Sequence, residues 1–138
     1  MALKMGVQAL VAQAMKEIET LEVAKARALH GQADVVFVDL RDVRELERDG
    51  VVPGAVHAPR GMLEFWVDPA SPYYKPVFTE DKRYVLFCAA GQRSALATKT
   101  LKDMGLPRVA HIEGGFRAWR ESGAPVAPRE AKTAKSGA

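Results

Sequence analysis

Apolar and polar positions follow one another along the chain in blocks whose spacing predicts helices and strands. Residues 5–30 carry apolar side chains near helical spacing, which predicts one long N-terminal helix ended by Gly31. Residues 35–38 and 84–87 are short apolar runs rich in β-branched or aromatic side chains, and they predict buried strands. Further strands are expected at 55–58 and 108–112, and further helical segments at 42–49, 60–66, 93–104 and 115–121.

This alternation predicts an α/β fold with a central, mainly parallel sheet covered by helices on both faces, plus an extra N-terminal helix. We expect a helical extension at residues 1–31, one domain at residues 32–126 and a disordered tail at residues 127–138, where the sequence is small, polar and charged. Ligands of parallel sheets bind beyond the carboxyl ends of the strands. Asp39 and Cys88 both follow a predicted strand at that edge.

Composition narrows the class of protein. The net charge of +3 comes from 20 basic and 17 acidic side chains spread along the 138 residues, so no nucleic-acid partner is expected. The longest apolar runs are about five residues, against the roughly 20 of a membrane helix, and no membrane partner is expected. A single cysteine cannot form an internal disulfide, which favours a reducing cytoplasm.

That cysteine, Cys88, ends an apolar run and opens a glycine-containing loop before a helical pattern. A strand that turns directly into a helix aims backbone N–H groups at the sulfur, which favours a thiolate and an anion beside it. Gly91 permits unusual backbone angles, and the loop N–H groups can form an anion-binding nest. The predicted nucleophile is Cys88, and the predicted substrate-binding residues are Ala89, Ala90, Gly91, Gln92, Arg93 and Ser94.

Other chemistry-bearing side chains have less specific patterns. Arg93 adds a planar cation suited to an anionic group, and Ser94 can cap the following helix. His57 and His111 suggest a cysteine–histidine hydrolase, but packed or surface histidines are the expected outcome. One cysteine and three scattered histidines lack the spacing of a metal site, so neither a metal nor a cofactor is predicted.

Four segments in order resemble the rhodanese (sulfurtransferase) family over roughly residues 33–125. They are residues 38–42 (VDLRD), 50–59 (GVVPGAVHAP), 88–94 (CAAGQRS) and 114–119 (GGFRAW). Val51 departs from the pattern, because the family usually has histidine there. The resemblance implies that Asp39 and Arg41 support the loop structurally rather than bind substrate.

The resemblance also implies a reaction. The Cys88 thiolate would attack the outer sulfur of a small anionic donor such as thiosulfate, and a thiol or cyanide acceptor would then remove that sulfur from the cysteine persulfide. Arg93 would bind the sulfonate of the donor.

Two alternatives stay open. The first is a non-catalytic binding module that uses the same fold. In either case, the predicted long N-terminal helix suggests a homodimer. A related cysteine phosphatase would need five residues between its cysteine and arginine, whereas four separate Cys88 from Arg93. The shorter loop should crowd a tetrahedral phosphate, so sulfur transfer is the favoured function.

Overall fold

The computed structural model describes residues 1–79 and 81–130. Helices and strands alternate along it, with a short 3₁₀ turn at Arg60–Met62 before α4. The helices are α1 (Val7–Met15), α2 (Val23–Leu29), α3 (Val43–Asp49), α4 (Leu63–Val67), α5 (Gln92–Met104) and α6 (Gly115–Glu121). The strands are β1 (Glu19–Leu21), β2 (Val35–Asp39), β3 (Val56–His57), β4 (Arg83–Phe87) and β5 (Val109–Ile112).

The five strands form one sheet in the order β1-β5-β4-β2-β3, and every neighbouring pair is parallel. The α/β class with a central parallel sheet is therefore confirmed. The central strands β2 and β4 pair from Val35 with Arg83 to Asp39 with Phe87. This register brings the carboxyl ends of both strands, and hence Asp39 and Cys88, to the same edge of the sheet.

Two apolar layers cover the sheet, as expected for parallel strands that are buried on both faces. One layer includes Ala26 of α2 and Phe116 and Trp119 of α6. The other includes Leu63 of α4 and Leu101 of α5. The helices therefore lie on both faces, and α1 packs against α5.

The prediction of one helix over residues 5–30 is wrong, because β1 divides that segment into α1 and α2. Leu21 fits a helical stripe by spacing, but it is 1% exposed because it enters the core from an edge strand. β1 pairs with β5, with Thr20 opposite His111. Sheet pairing across the chain therefore overrides local helical spacing, and the segment expected as an extension supplies one strand.

The predicted start of the disordered tail at residue 127 lies too early in the chain. The backbone of Ala127 pairs with that of Val51 at 2.8 and 2.9 Å, and Arg129 forms a 3.1 Å ion pair with Glu47. Both of Val51's backbone polar groups are satisfied by this bridge, which ties the chain after α6 to the loop after α3. Residues 131–138 of the expected tail lie outside the described residues.

Candidate active site

The cysteine loop lies at the carboxyl edge of the sheet. Cys88 directly follows β4, and α5 begins four residues later at Gln92. The Cys88 side chain is buried, with 1% of the residue exposed. Because α5 runs for 13 residues away from the loop, the positive end of its dipole faces the sulfur.

Three polar groups surround the Cys88 sulfur. The Gly91 N–H donates to Sγ at 3.2 Å and the Ser94 N–H at 3.4 Å. The Ser94 hydroxyl oxygen lies 3.6 Å from Sγ. Gly91 has a φ of +112°, which side-chain-bearing residues rarely adopt, and this conformation turns its N–H toward the sulfur. Such donors stabilise a negatively charged sulfur.

The loop is held from outside by α6. The Phe116 N–H donates to the Cys88 carbonyl at 2.8 Å, and the Arg117 N–H donates to the Ala89 carbonyl at 3.0 Å. Gly115 allows this close approach, since a Cβ there would lie 2.5 Å from the Cys88 carbonyl oxygen. The first turn of α6 therefore fixes the loop carbonyls and, with them, the orientation of the peptide groups around the sulfur.

The remaining loop residues form the rim. Ala90 and Gln92 are exposed, and Ala89 is partly buried. The Gln92 amide donates to the side chain of Gln8 at 3.3 Å, so α1 borders the loop. The two alanines place no large side chain at their own positions in the rim. The predicted site residues 88–94 therefore form the loop after β4 and the first turn of α5.

Arg93 is held by a partner that the sequence analysis missed. Its Nη1 and Nη2 atoms donate to the two carboxylate oxygens of Glu45, each at 2.9 Å. Glu45 also accepts the Asp42 N–H at 3.0 Å in a capping box at the start of α3. The hydrogen bond from Arg93 lowers the pKa of Glu45 to about 2. Glu45 in turn raises the pKa of Arg93, and the nearby Cys88 contributes less.

This pairing changes the electrostatics expected of the loop. The Arg93 side chain is 42% exposed, but the Glu45 carboxylate compensates its charge. An anion that approached the rim would therefore meet a guanidinium that is already hydrogen-bonded through two nitrogens. The D-x-x-E pattern of residues 42–45 indicates a helix cap in the sequence. It does not indicate that Glu45 contacts Arg93, which lies 48 positions away.

Asp39 and Arg41 form a buried ion pair behind the loop. Arg41 Nη2 and Nε donate to the Asp39 carboxylate at 2.7 and 2.9 Å, and Nη2 also donates to the Gly50 carbonyl at 2.9 Å. The guanidinium lies 4.0 Å from the ring centroid of Phe116, whose N–H holds the Cys88 carbonyl. This contact fits the supporting role that the sequence analysis gave the pair.

The histidine His111 is connected to the cysteine loop through Ser94. His111 is 1% exposed on β5, with its Nδ1 atom 2.9 Å from the Ser94 hydroxyl and its Nε2 atom 3.0 Å from the Thr20 hydroxyl. Burial lowers its pKa to about 4, so the ring is neutral near pH 7. The sequence analysis expected a packed or surface histidine and missed both contacts, because Thr20 lies on the unrecognised strand β1 and Ser94 lies 17 positions away on α5. His57 lies elsewhere, with Nε2 2.6 Å from the Arg41 carbonyl.

Within residues 1–79 and 81–130, no three His, Cys, Asp or Glu side chains group into a metal site. Over the same residues, no helix combines the length and the apolar character needed to cross a bilayer.

Comparison with known proteins gives three informative relatives. A solved structure from Rhodopseudomonas palustris CGA009, described as a protein of unknown function and possible tyrosine phosphatase, is 57% identical, with a TM-score of 0.89; the match covers 92% of this chain and 98% of that one. The solution structure of a polysulfide-sulfur transferase homodimer from Wolinella succinogenes is 29% identical, with a TM-score of 0.69 and coverage of 94% and 92%.

The curated relatives are longer proteins. A tRNA uridine(34) hydroxylase of Cronobacter sakazakii is 33% identical over 116 residues, which is 78% of this chain but 31% of the relative. The chain thus spans about a third of the length of such relatives. The model of the rhodanese-like domain matches residues 22–122, a range that contains the cysteine loop and both arginine pairs. The four ordered motifs, the parallel sheet and this match agree, and the chain belongs to the rhodanese-like family.

Proposed function

We propose that the protein is a sulfurtransferase that carries a sulfane sulfur on Cys88. The observation that carries the proposal is the convergence of the Gly91 and Ser94 N–H groups on the Cys88 sulfur at the start of α5. These donors would stabilise the thiolate before reaction and the anionic persulfide after it. The similar transferase from Wolinella succinogenes acts on polysulfide sulfur, which supports the same class of chemistry.

The reaction has two covalent steps. The Cys88 thiolate attacks the outer sulfur of thiosulfate or a persulfide, forming a new S–S bond while the donor's own S–S bond breaks. From thiosulfate, sulfite leaves with the electron pair. An acceptor thiolate or cyanide then attacks the outer sulfur of the persulfide, and Cys88 returns as a thiolate. Because Cys88 is 1% exposed, the loop favours narrow donors that present a terminal sulfur.

Mass spectrometry of the intact protein tests this proposal. Incubation with thiosulfate, glutathione persulfide or polysulfide should add one sulfur atom, and cyanide should remove it as thiocyanate. Cys88→Ser should remain unmodified while keeping its fold, since serine is nearly isosteric. A protein that gains no sulfur from any of the three donors, although iodoacetamide alkylates Cys88, would contradict sulfur transfer.

A phosphatase is the second candidate, because the similar Rhodopseudomonas protein is described as a possible tyrosine phosphatase. Two features oppose it. Four residues separate Cys88 from Arg93, and both Arg93 Nη atoms donate to Glu45 instead of being free to bind phosphate. Hydrolysis of p-nitrophenyl phosphate that is lost in Cys88→Ser would favour the phosphatase, and we expect none.

We further propose a homodimer through α1 and a reducing cytoplasmic location that keeps Cys88 as a thiol. Exposed apolar side chains precede and occupy α1, namely Leu3, Met5, Val7, Leu10 and Met15. Sedimentation over a range of concentrations should show dimers, and Val7→Glu should shift them toward monomers. A wild-type protein that stays monomeric at high concentration would contradict this assembly. Besides a second copy of the chain, the proposed partners are a small anionic sulfur donor and a thiol or cyanide acceptor.

A further inference from the structure

A chain of hydrogen-bonding groups leads from the buried cysteine toward the surface. Its successive separations are 3.6 Å from Cys88 Sγ to Ser94 Oγ, 2.9 Å from Ser94 Oγ to His111 Nδ1 and 3.0 Å from His111 Nε2 to Thr20 Oγ1. Ser94 and His111 are buried, whereas Thr20 is partly exposed on the edge strand β1. The chain therefore begins at a buried thiol and ends at a side chain that is partly exposed.

Each intermediate group can both accept and donate a proton. A hydroxyl does so at one oxygen, and a neutral imidazole does so at its two different nitrogens. His111 pairs in register with Thr20 on one side and Leu86 on the other, so its strand neighbours are uncharged. Burial holds the pKa of His111 near 4, which keeps the ring neutral and leaves one of its nitrogens free to accept.

We propose that Ser94, His111 and Thr20 form a proton relay that carries the Cys88 thiol proton to solvent. The inference rests on the proposed function, since only a nucleophilic cysteine must lose its proton. Ser94 contacts the reacting sulfur, whereas His111 and Thr20 are positioning residues that act through it.

The transfer balances without an oxidant or a reductant. The S–H bond of Cys88 breaks and its proton passes to Ser94 Oγ, while the electron pair stays on sulfur. The original Ser94 proton passes to His111 Nδ1, the Nε2 proton passes to Thr20 Oγ1, and the original Thr20 hydroxyl proton leaves to water. The ring changes tautomer and never carries a positive charge, in keeping with its buried position. Ser94 then donates its hydroxyl to the thiolate.

The tautomer of His111 provides the test. In ¹⁵N-labelled protein, the ring nitrogen shifts should report a proton on Nε2 in the thiol form and on Nδ1 in the thiolate form, as the pH is raised and the thiolate absorbance of the single cysteine appears. Cys88→Ala should keep one tautomer over the same pH range. An unchanged tautomer in the wild-type protein, or the same change in Cys88→Ala, overturns the relay.

The exit at Thr20 has its own matched variants. Thr20→Val keeps the β-branched shape but removes the hydroxyl, and it should slow exchange of the His111 ring N–H with water about tenfold. Thr20→Ser should retain fast exchange. Thr98→Val makes the same chemical change at a buried α5 hydroxyl that has no hydrogen-bond partner among the described residues, and it should leave exchange unchanged. Equal exchange in Thr20→Val and the wild type, or equal slowing in Thr98→Val, overturns the exit.

These measurements use protein whose Cys88 carries no persulfide, so they separate the relay from the proposed function. A static tautomer together with a Cys88 persulfide would reject the relay and leave sulfur transfer standing. A changing tautomer with no persulfide from any donor would reject sulfur transfer and leave the relay standing.

Discussion

Two arginine–carboxylate pairs lie at the carboxyl edge of the sheet, and they differ mainly in exposure. The side chains of Arg41 and Asp39 are 1% and 2% exposed, whereas those of Arg93 and Glu45 are 42% and 18% exposed. Both arginines use more than one nitrogen toward their carboxylate. We therefore expect the same chemical pairing to serve two purposes: the buried pair fixes the fold behind the loop, and the exposed pair adjusts the charge at its rim.

The largest expected effect is on the buried pair. Arg41→Met should lower the free energy of unfolding by about 3–5 kcal/mol, because it leaves the Asp39 carboxylate buried without its partner. Arg93→Met should cost no more than about 1 kcal/mol, since Glu45 can be solvated. Urea denaturation followed by circular dichroism measures both variants.

A double variant separates charge from packing at the buried site. Asp39→Leu combined with Arg41→Met removes both charges and should recover much of the loss, because a buried pair can often be replaced by apolar side chains. Recovery should be incomplete, since the Gly50 carbonyl and the backbone N–H of residue 41 also lose a hydrogen-bond partner. Equal destabilisation by Arg41→Met and Arg93→Met would contradict the distinction between the pairs.

The two pairs also differ in how far the sequence predicted them. Asp39 and Arg41 are two positions apart at a strand end, inside one of the segments that carry the family resemblance, and that resemblance implied their supporting role. The cysteine loop is similarly local, because strand, glycine and helix follow one another within residues 84–104. Glu45 and Arg93 are 48 positions apart, and only the packing of α3 beside the loop brings them together.

The same limit explains the missed strand and histidine. Ile18, Leu21 and Leu29 continue a helical spacing, and nothing local shows that residues 19–21 complete the sheet by pairing with β5. Without that register, Thr20 could not be placed opposite His111, and the contact of His111 with Ser94 depends in turn on the packing of α5 against β5. Chemistry carried by one segment was therefore predicted from the sequence, whereas contacts between distant segments required the structure.

A smaller effect should appear when the exposed pair is broken from the acidic side. Glu45→Gln removes the charge that compensates Arg93, so kcat/KM for the dianion thiosulfate should rise by up to about fivefold, the equivalent of about 1 kcal/mol for a charge near the surface. Asp49→Asn is a matched control. It removes a carboxylate from the same helix, but that carboxylate pairs with Arg48 and not with Arg93. A steady-state assay of thiocyanate formation compares the three proteins. No gain in Glu45→Gln, or the same gain in Asp49→Asn, would show that Glu45 does not adjust the charge at the loop.

The smallest expected effect is the pH dependence of the exposed pair. Folding lowers the pKa of Glu45 to about 2, mainly through the hydrogen bond from Arg93. In the unfolded chain the pKa of a glutamate is about 4.3. The charged pair therefore stabilises the folded state fully above about pH 4.3, and this contribution is lost as the pH falls toward 2. Arg93 is substantially exposed, so the contribution should stay within about 1 kcal/mol. The stability difference between the wild type and Glu45→Gln, measured by urea denaturation, should be constant from about pH 7 to 5 and narrow below about pH 4. A difference that widens on acidification would mean that Glu45 is more easily ionised in the unfolded chain, and the pair would then have no stabilising role.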